Sequence, residues 1–249
     1  LFYFFTWRDV KVKYKQPLLG FAWVILQPFI MMVVFSVFFG MALKVPSDGV
    51  PYPLFSFSGL IVWNLFSSGL SGAGNSMVSN ANILKKIYFP RLIIPISAIL
   101  SSLVDFFVAL VIFFGLALFY EFQVGIDALY LVPLSVLLTL IATLGLGTLI
   151  SALNVKYRDF RYILPFGIQM LLFLTPVIYP ISLVENYPLL QKILLLNPMY
   201  APVSIMRQIV SNTELDLIAI LISVSSSLVL LVLGVFYFKK TEHYFADIA

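Results

Sequence analysis

The residues best suited to chemistry lie in one short segment, from Ser79 to Pro95, which reads SNANILKKIYFPRLIIP. It places Lys85, Lys86 and Arg91 within seven positions of a chain that is otherwise strongly apolar. Three cations on a helix of about ten residues can bind a soluble partner, or they can mark an ordinary loop on the positive side of a membrane. The residue chemistry alone leaves both interpretations open.

Motifs for catalysis are absent from the sequence. There is no GxxxxGK[ST] motif to bind ATP phosphates, no HExxH zinc motif and no GxSxG nucleophile motif. Cysteine is missing, which excludes disulfides and thiolate metal ligands, and the single histidine, His243, lies in the C-terminal tail. We therefore expect no catalytic residue, no metal site and a role in transport rather than catalysis.

Asp105 is a carboxylate near the middle of an apolar segment. Placing a carboxylate in the bilayer costs about 2.5–3.5 kcal/mol on insertion scales, so its side chain must face protein or water. Three roles stay open for Asp105. It can be a structural hydrogen-bonding residue with Ser101 or Ser102 nearby, part of the wall of a wet pathway, or a proton-coupling group.

The rest of the composition predicts an all-α integral membrane protein. The 249 residues are 61% hydrophobic and 10% charged, whereas soluble domains are about 25% charged. The apolar runs are continuous rather than alternating, which favours helices over a β-barrel. The second run contains the small, polar stretch GLSGAGNS, so we expect that helix to be buried among others. The six predicted spans of this single transmembrane domain are about 19–43, 54–78, 92–119, 129–153, 163–184 and 215–238.

Residues 1–16 are predicted to form an amphipathic helix on the membrane surface. Asp9 and Lys13, four residues apart, are expected to pair. The alternation in VKVKYK also fits a strand, but a lone strand there would leave its backbone unpaired. Because the chain begins at Leu1, we expect a few native residues to precede it. The apolar face carries Tyr3, Trp7, Val10 and Tyr14, and the basic face carries Arg8, Lys11 and Lys15.

The segment 185–212 is too polar to span a membrane and too apolar for an ordinary loop. Pro188, Pro198 and Pro202 divide it into pieces of about ten residues. Apolar pieces of this length are typical of re-entrant or interfacial helices. We therefore predict two short re-entrant helices between spans 5 and 6.

Lys and Arg are distributed unequally between the two sides of the predicted membrane. With six spans and the N-terminus inside, twelve of the fifteen basic residues are cytoplasmic and three, Lys44, Lys192 and Arg207, are outside. Positive residues are enriched on the cytoplasmic side. We expect both termini in the cytoplasm, and we attribute the pI of about 9.2 to topology rather than to nucleic-acid binding.

Aromatic residues make up 16% of the chain, and some share one face of a predicted span. They can be packing or lipid-facing residues. They can also line a pathway in which sugar rings pack on aromatic faces, each contact contributing about 1 kcal/mol by analogy with aromatic pairs. The candidate pathway residues are Phe21, Met32, Phe35, Phe39, Phe166 and Phe173, together with Asp105.

The order of five motifs resembles one family, the membrane subunits of type-2 ABC exporters that move polysaccharides. The basic motif ILKKIYFPRLIIP resembles the loop between spans 2 and 3 in that family. Four more motifs resemble the family, and all five occur in the family's order along the chain. They are YKQPLLGFAWVILQP from Tyr14, NVKYRDF from Asn154, TPVIYP from Thr175 and NPMYAPVSIMR from Asn197. Each motif is weak alone, but five in register over essentially the whole chain make the resemblance specific.

The resemblance implies a role for each segment. Residues 79–91 correspond to a coupling helix that docks on the ATPase subunit, residues 1–16 to an interfacial gate, and residues 185–212 to the re-entrant pair at the outer mouth. The implied coupling residues are Asn82, Lys85, Lys86, Tyr88, Arg91, Arg158 and Asp159, and the implied gate residues are Tyr3, Trp7 and Tyr14.

The resemblance also implies an assembly of two copies of this chain with two ATPase subunits, which would bind ATP and Mg while this chain binds no cofactor. The expected substrate is a lipid-linked polysaccharide of the O-antigen type, exported across the bacterial cytoplasmic (inner) membrane. A same-fold exporter of teichoic acid, capsule, drug or small lipid is the alternative. An ion-coupled secondary transporter is more remote, because it would need several ionisable groups at membrane depth and the sequence offers one.

Overall fold

The computed structural model describes residues 2–15, 22–84, 89–157, 159–184, 187–211 and 215–244, and all regular structure in these ranges is helical. Five of the described helices are long and apolar enough to cross a membrane, or six if one bent pair counts as a span. The prediction of an all-α integral membrane fold is confirmed.

The elements follow one another through short connections. An α-helix α2 continues directly as a π-helix, and two 3-10 turns occur late in the chain. The bounds are α1 Phe2–Lys15, α2 Ala22–Phe35 with π-helix Ser36–Ala42, α3 Tyr52–Ser79, α4 Ala81–Leu84, α5 Ile93–Phe119, α6 Ala128–Lys156, α7 Phe160–Leu174, the 3-10 turn Ile181–Val184, α8 Pro188–Leu195, α9 Tyr200–Gln208, α10 Leu217–Thr241 and the 3-10 turn Glu242–Tyr244.

Helix α3 lies at the centre of the bundle, as expected from its small residues. It packs against α2, α5, α6, α7 and α9, and 78% of its most apolar stretch is buried. Small residues let such helices approach closely. A Cβ built on Gly74 would lie 2.6 Å from a methyl carbon of Leu164 in α7, so a larger residue here would require the Leu164 side chain to shift.

Helices α6 and α10 meet at a second close approach. A Cβ built on Gly234 would lie 2.1 Å from the carbonyl oxygen of Gly145, and one built on Gly145 would lie 2.6 Å from the backbone nitrogen of Leu231. Real side chains never come so close to backbone atoms. The two glycines therefore hold α10 against α6 through backbone contact, which is a typical packing mode in membranes.

A cluster of buried apolar residues lies at one end of the bundle. Phe5 of α1 packs on it, with the ring centroids of Phe5 and Phe89 5.3 Å apart. We call the end of the bundle that holds this cluster the α4 end. The α9 end, opposite, holds α8, α9, the loops 43–51 and 120–127, and the start of α10. The buried members of the cluster are Met77, Leu84, Phe89, Ile93, Ile94, Ala152, Val155 and Phe238.

The fifth predicted span, 163–184, differs in the structure from a continuous helix. Helix α7 has 15 residues, Phe160–Leu174, and is followed by an irregular segment through Pro176 and Pro180. Fifteen residues span roughly 22 Å, less than the roughly 30 Å of hydrocarbon. Carbonyl oxygens of the irregular segment accept hydrogen bonds from protein side chains, as non-helical backbone at membrane depth requires.

Helix α2 also departs from regular α geometry, although not at its proline. The helix continues through Pro28, and the change comes at Ser36, where the π-helix begins. The Ser36 hydroxyl donates to the carbonyl oxygen of Met32 at 2.7 Å. A hydroxyl bonded to the carbonyl four residues earlier helps to satisfy the backbone where the helix changes pitch.

Candidate functional site

One face of α3 is polar along most of its length. Asn64, Ser68, Ser71, Asn75 and Ser79 recur at intervals of three or four residues, which places them in one stripe. Two of these side chains donate within the helix: the Ser68 hydroxyl to Asn64 O at 2.6 Å and the Asn75 amide to Ser71 O at 3.0 Å. The stripe therefore presents hydroxyl and amide groups to its surroundings, and such groups both accept and donate hydrogen bonds.

Two adjoining cavities lie against this stripe, and both are lined by Ser68 and Ser71. The first, of about 320 Å³, is closed by Gln27 of α2, Asp105 of α5 and Pro165 of α7, among others. The second, of about 590 Å³, extends toward the α4 end between α3, α5 and α1. We call the two cavities together the polar groove.

Helix α1 forms one wall of the polar groove through ionic contacts with α5. Both Lys13 and the Tyr14 hydroxyl donate to the Asp105 carboxylate, one to each oxygen. Nearer the start of α1, Arg8 donates to Asp9 through two nitrogens at 3.0 and 2.7 Å. The charges of the groove wall are thus paired, and its surface is close to neutral.

These contacts correct two expectations about the ionic residues. Lys13 pairs with Asp105 and not with Asp9, because α1 lies along α5 and brings Lys13 to a carboxylate that has no cation on its own helix. The hydroxyls of Ser101 and Ser102 donate to carbonyls of α5 rather than to Asp105. Asp105 is both a structural hydrogen-bond acceptor and part of the first cavity's wall.

The phenol of Tyr14 stays a hydrogen-bond donor at all ordinary pH values. Burial, the hydrogen bond to Asp105 and the negative charge of that carboxylate all raise the pKa of Tyr14. A carboxylate cannot donate, so a protonated phenol is the form that fits this contact. The link between α1 and α5 therefore does not depend on titration of the tyrosine.

The predicted gate residues differ in exposure along α1. Tyr14 points toward α5, whereas the side chains of Tyr3 and Trp7 are 70% and 49% exposed. Their rings stack with centroids 6.3 Å apart, and the ammonium of Lys11 lies 5.4 Å from the Trp7 ring. An exposed aromatic pair beside a lysine is typical of a membrane interface.

Replacing Asp105 with Ala is expected to loosen α1 from α5. The change removes the shared acceptor of Lys13 and Tyr14, and hydrogen bonds to charged groups contribute about 1.5–3 kcal/mol each. We expect amide hydrogen exchange in the second half of α1 to rise at least tenfold. Asp127→Ala, which removes a carboxylate at the start of α6, is the control and should leave α1 unchanged. Equal exchange in both variants would show that Asp105 does not hold α1 against α5.

The described members of the predicted coupling set lie at the α4 end. Asn82 in α4 and Asp159 before α7 are exposed. The Arg91 guanidinium instead donates to the carbonyl oxygen of Glu242, and so joins the start of α5 to the end of α10. Four predicted residues, Lys85, Lys86, Tyr88 and Arg158, lie outside the described residues.

The candidate aromatic residues are not brought together within one chain. Met32 and Phe35 are buried in the core and Phe39 is half-buried, with the Phe35 and Phe39 rings edge to face at 5.7 Å. Phe166 and Phe173 are exposed on α7. Phe21 lies outside the described residues, and of the described pathway candidates only Asp105 lines the polar groove.

Sequence reasoning missed a buried cation at the α9 end. Arg207 of α9 is only 7% exposed, and its Nη2 donates to the carbonyls of Pro176 at 2.7 Å and Val177 at 3.1 Å. Its guanidinium lies 3.8 Å from the centroid of the Phe55 ring. The sequence did offer a signal, namely a single arginine in an apolar segment bounded by prolines. The count of charges on each side of the membrane treated this arginine as a loop residue.

The sequence profile of one family, described as ABC-2 type transporter, matches residues 1–211. The chain belongs to the ABC-2 type transporter family. Members of this family are membrane subunits of transporters, which implies a partner ATPase subunit and a multi-pass membrane location.

Curated relatives cover most of the chain. The O-antigen export system permease protein RfbA of Klebsiella pneumoniae is 26% identical over 243 residues, 98% of this chain and 92% of the relative. The protein of the same name from Myxococcus xanthus is 31% identical over 193 residues, 77% of this chain and 73% of the relative. The polysialic acid transport protein KpsM of Escherichia coli is 23% identical over 209 residues, 82% and 78% of the two chains.

Proposed function

We propose that this chain is the membrane subunit of an ATP-driven exporter that moves a lipid-linked polysaccharide, of the O-antigen type, across the bacterial cytoplasmic membrane. The observation that carries the proposal is the similarity, over nearly the whole chain, to permeases named for O-antigen export. The relative named for polysialic acid transport makes a glycan other than an O-antigen the second candidate substrate of this membrane subunit.

The chemistry of the polar groove supports a glycan substrate. Its wall is rich in serine hydroxyls and asparagine amides, and its charges are paired. Such a surface can exchange hydrogen bonds with sugar hydroxyls without holding any one of them tightly. Passage of a long polymer requires weak binding at many points rather than strong binding at one.

The α4 end is the side that we assign to the cytoplasm and to the ATPase. It carries Arg91, Lys156 and Lys239, in line with the enrichment of positive residues inside. The ATPase subunit would bind ATP and Mg, since this sequence has no phosphate-binding loop. Asn82 and Asp159 are exposed at this end and are available to the partner.

A second copy of the chain would cover the faces of α2 and α7. Only Leu164 of α7 is buried, and Phe166 and Phe173 are 64% and 58% exposed. Exposed apolar side chains can face lipid or a partner helix. In a homodimer the α7 face would meet its counterpart and line the pathway with aromatic rings.

Purification from the native membrane in mild detergent, followed by mass spectrometry, tests the proposal. We expect an ABC-type ATPase at a one-to-one ratio with this chain. Deletion of the gene for this chain should remove the glycan from the cell surface and accumulate its lipid-linked form inside. If no ATPase is found, even after crosslinking at Lys85 or Lys86, and the surface glycan persists in the deletion strain, the proposal is wrong.

A further inference from the structure

The α9 end contains a third cavity, of about 270 Å³, that is separate from the polar groove. It lies between the loop 43–51, the segment that follows α7, helix α9 and the start of α10. Its polar lining consists of Asp48, Ser182, Tyr200, Ser204, Arg207 and Asp216. We call it the mouth pocket.

Arg207 contributes to the pocket lining but cannot serve as a free cation there. Its Nη atoms donate to backbone carbonyls of the segment after α7, and its guanidinium is stacked on Phe55. Its Nε is buried and has no hydrogen-bond partner among the described residues. The guanidinium is thus fixed in place, and the Nε–H group remains available for a hydrogen bond.

Two carboxylates lie on the exposed side of the pocket. Asp216 caps α10, since its Oδ1 accepts from the backbone nitrogens of Ile218 and Ala219 at 3.0 and 3.1 Å. Asp48 lies in the loop 43–51 with a φ of 50°. Both carboxylates are exposed and face the same cavity, so their remaining oxygens can accept hydrogen bonds from a ligand.

The rest of the lining combines polar and apolar side chains. Ser182 and Ser204 supply hydroxyls, and Tyr200 supplies an aromatic ring. The remaining surface is apolar and includes Ile181 of the segment after α7 and Ile220 of α10. Small-molecule sites commonly combine apolar walls with a few convergent polar groups in this way.

This lining discriminates between classes of ligand. An anion would meet two carboxylates and one guanidinium whose donors are largely used, so anion binding is disfavoured. The described residues contain no cluster of three His, Asp or Glu that could hold a metal ion. A sugar ring satisfies both kinds of surface, because its hydroxyls donate to carboxylates in charge-assisted hydrogen bonds and its C–H faces pack on apolar and aromatic side chains.

We infer that the mouth pocket binds one neutral pyranose unit of the glycan as it leaves the transporter. The choice of ligand rests on the proposed function, whereas the pocket itself is a feature of this chain. Few direct contacts and a partly open cavity give weak binding, with dissociation constants in the millimolar range. Weak binding lets successive sugar units pass the pocket instead of blocking it.

The test uses the full chain with its co-purified ATPase in lipid nanodiscs. Saturation-transfer difference NMR is recorded with the methyl glycosides of glucose, galactose, mannose, rhamnose and N-acetylglucosamine, and inorganic phosphate is followed by line broadening. We expect saturation of the ring protons of at least one glycoside, and at least a threefold loss of that signal in the double variant Asp48→Asn, Asp216→Asn. Asparagine tolerates positive φ and caps helices, so both substitutions preserve the local backbone.

The matched control is Glu121→Gln. Glu121 is an exposed carboxylate at the same end, its φ of 54° resembles that of Asp48, and it does not line the mouth pocket. This variant should keep the full glycoside signal. The inference is overturned if no glycoside is saturated, if the double variant binds as the wild type does, or if phosphate binds in place of the sugars.

The same preparations separate failure of the pocket from failure of the proposed function. If the ATPase co-purifies and the cells export their glycan while no glycoside binds, the mouth pocket is refuted and the exporter stands. If neither ATPase nor export is found, the proposed function falls, and saturation of a glycoside would then support only the pocket.

Discussion

Reversing the charge of Lys85 and Lys86 together is expected to lower glycan export at least tenfold while the chain remains folded. From the resemblance to polysaccharide exporters we predict that these residues belong to the segment that docks on the ATPase. Charge reversal there would replace attraction to the partner with repulsion, and like-charge contacts across an interface cost several kcal/mol. ATP hydrolysis by the partner should continue at its basal rate and no longer respond to substrate.

Arg91 is best left out of this variant, although sequence reasoning grouped it with the two lysines. Its guanidinium donates to the carbonyl oxygen of Glu242 and joins the start of α5 to the end of α10. Reversing its charge would disturb packing at the α4 end as well as docking. A double substitution restricted to Lys85 and Lys86 separates coupling from folding.

Lys239→Glu with Lys240→Glu provides the matched control. These two lysines are exposed in the last turn of α10 at the same end of the bundle, and the substitution changes the net charge equally. Export and ATPase association should persist in this control. Equal loss of export in both double variants would show that general charge at this end matters, rather than a coupling contact at positions 85 and 86.

The sequence predicted the architecture well because membrane helices are dictated by local composition. A run of about 20 apolar residues has no other stable arrangement in lipid, so the long helices follow directly from the pattern. The central position of α3 followed from GLSGAGNS, since small residues permit close packing. The length of α7 did not follow, because hydropathy does not distinguish a helix from an irregular segment whose backbone is satisfied by neighbouring protein.

The polar contacts were harder to predict because their partners are far apart in sequence. Asp105 meets residues about 90 positions away, and no periodicity in α1 or α5 encodes that pairing. An (i, i+4) rule suggested Asp9 with Lys13, but such pairs contribute only about 0.2–0.5 kcal/mol. A carboxylate at membrane depth has a stronger need for a cation, so the tertiary contact prevails.

Arg207 is a second residue whose contacts could not be predicted from sequence. Its substitution is expected to have a large effect on stability. Its charge was counted with the outer loops, yet the structure buries it among carbonyls of the segment after α7. Buried arginines are rare, and this one satisfies backbone groups that Pro176 and Pro180 have removed from any helix. Arg207 therefore joins the irregular segment after α7 to helix α9.

Arg207→Met is expected to unfold the α9 end selectively. The substitution keeps an apolar stem but leaves the carbonyls of Pro176 and Val177 without their donor, at about 1–3 kcal/mol for each buried group. The sum, on the order of 4 kcal/mol, is a large part of a typical folding free energy. Arg207→Lys should retain only part of this free energy, since one ammonium cannot reproduce the planar fork of donors.

Hydrogen exchange and thermal unfolding in nanodiscs measure this effect against Lys192→Met, which removes an exposed cation from the neighbouring helix α8. In Arg207→Met, exchange should rise by at least a hundredfold in α9 and in residues 175–184, while α1 and α4 at the opposite end stay protected. The Lys192 variant should match the wild type throughout. If the two methionine variants are equally stable, then the carbonyls of the segment after α7 find other donors, and Arg207 does not hold the outer region in place.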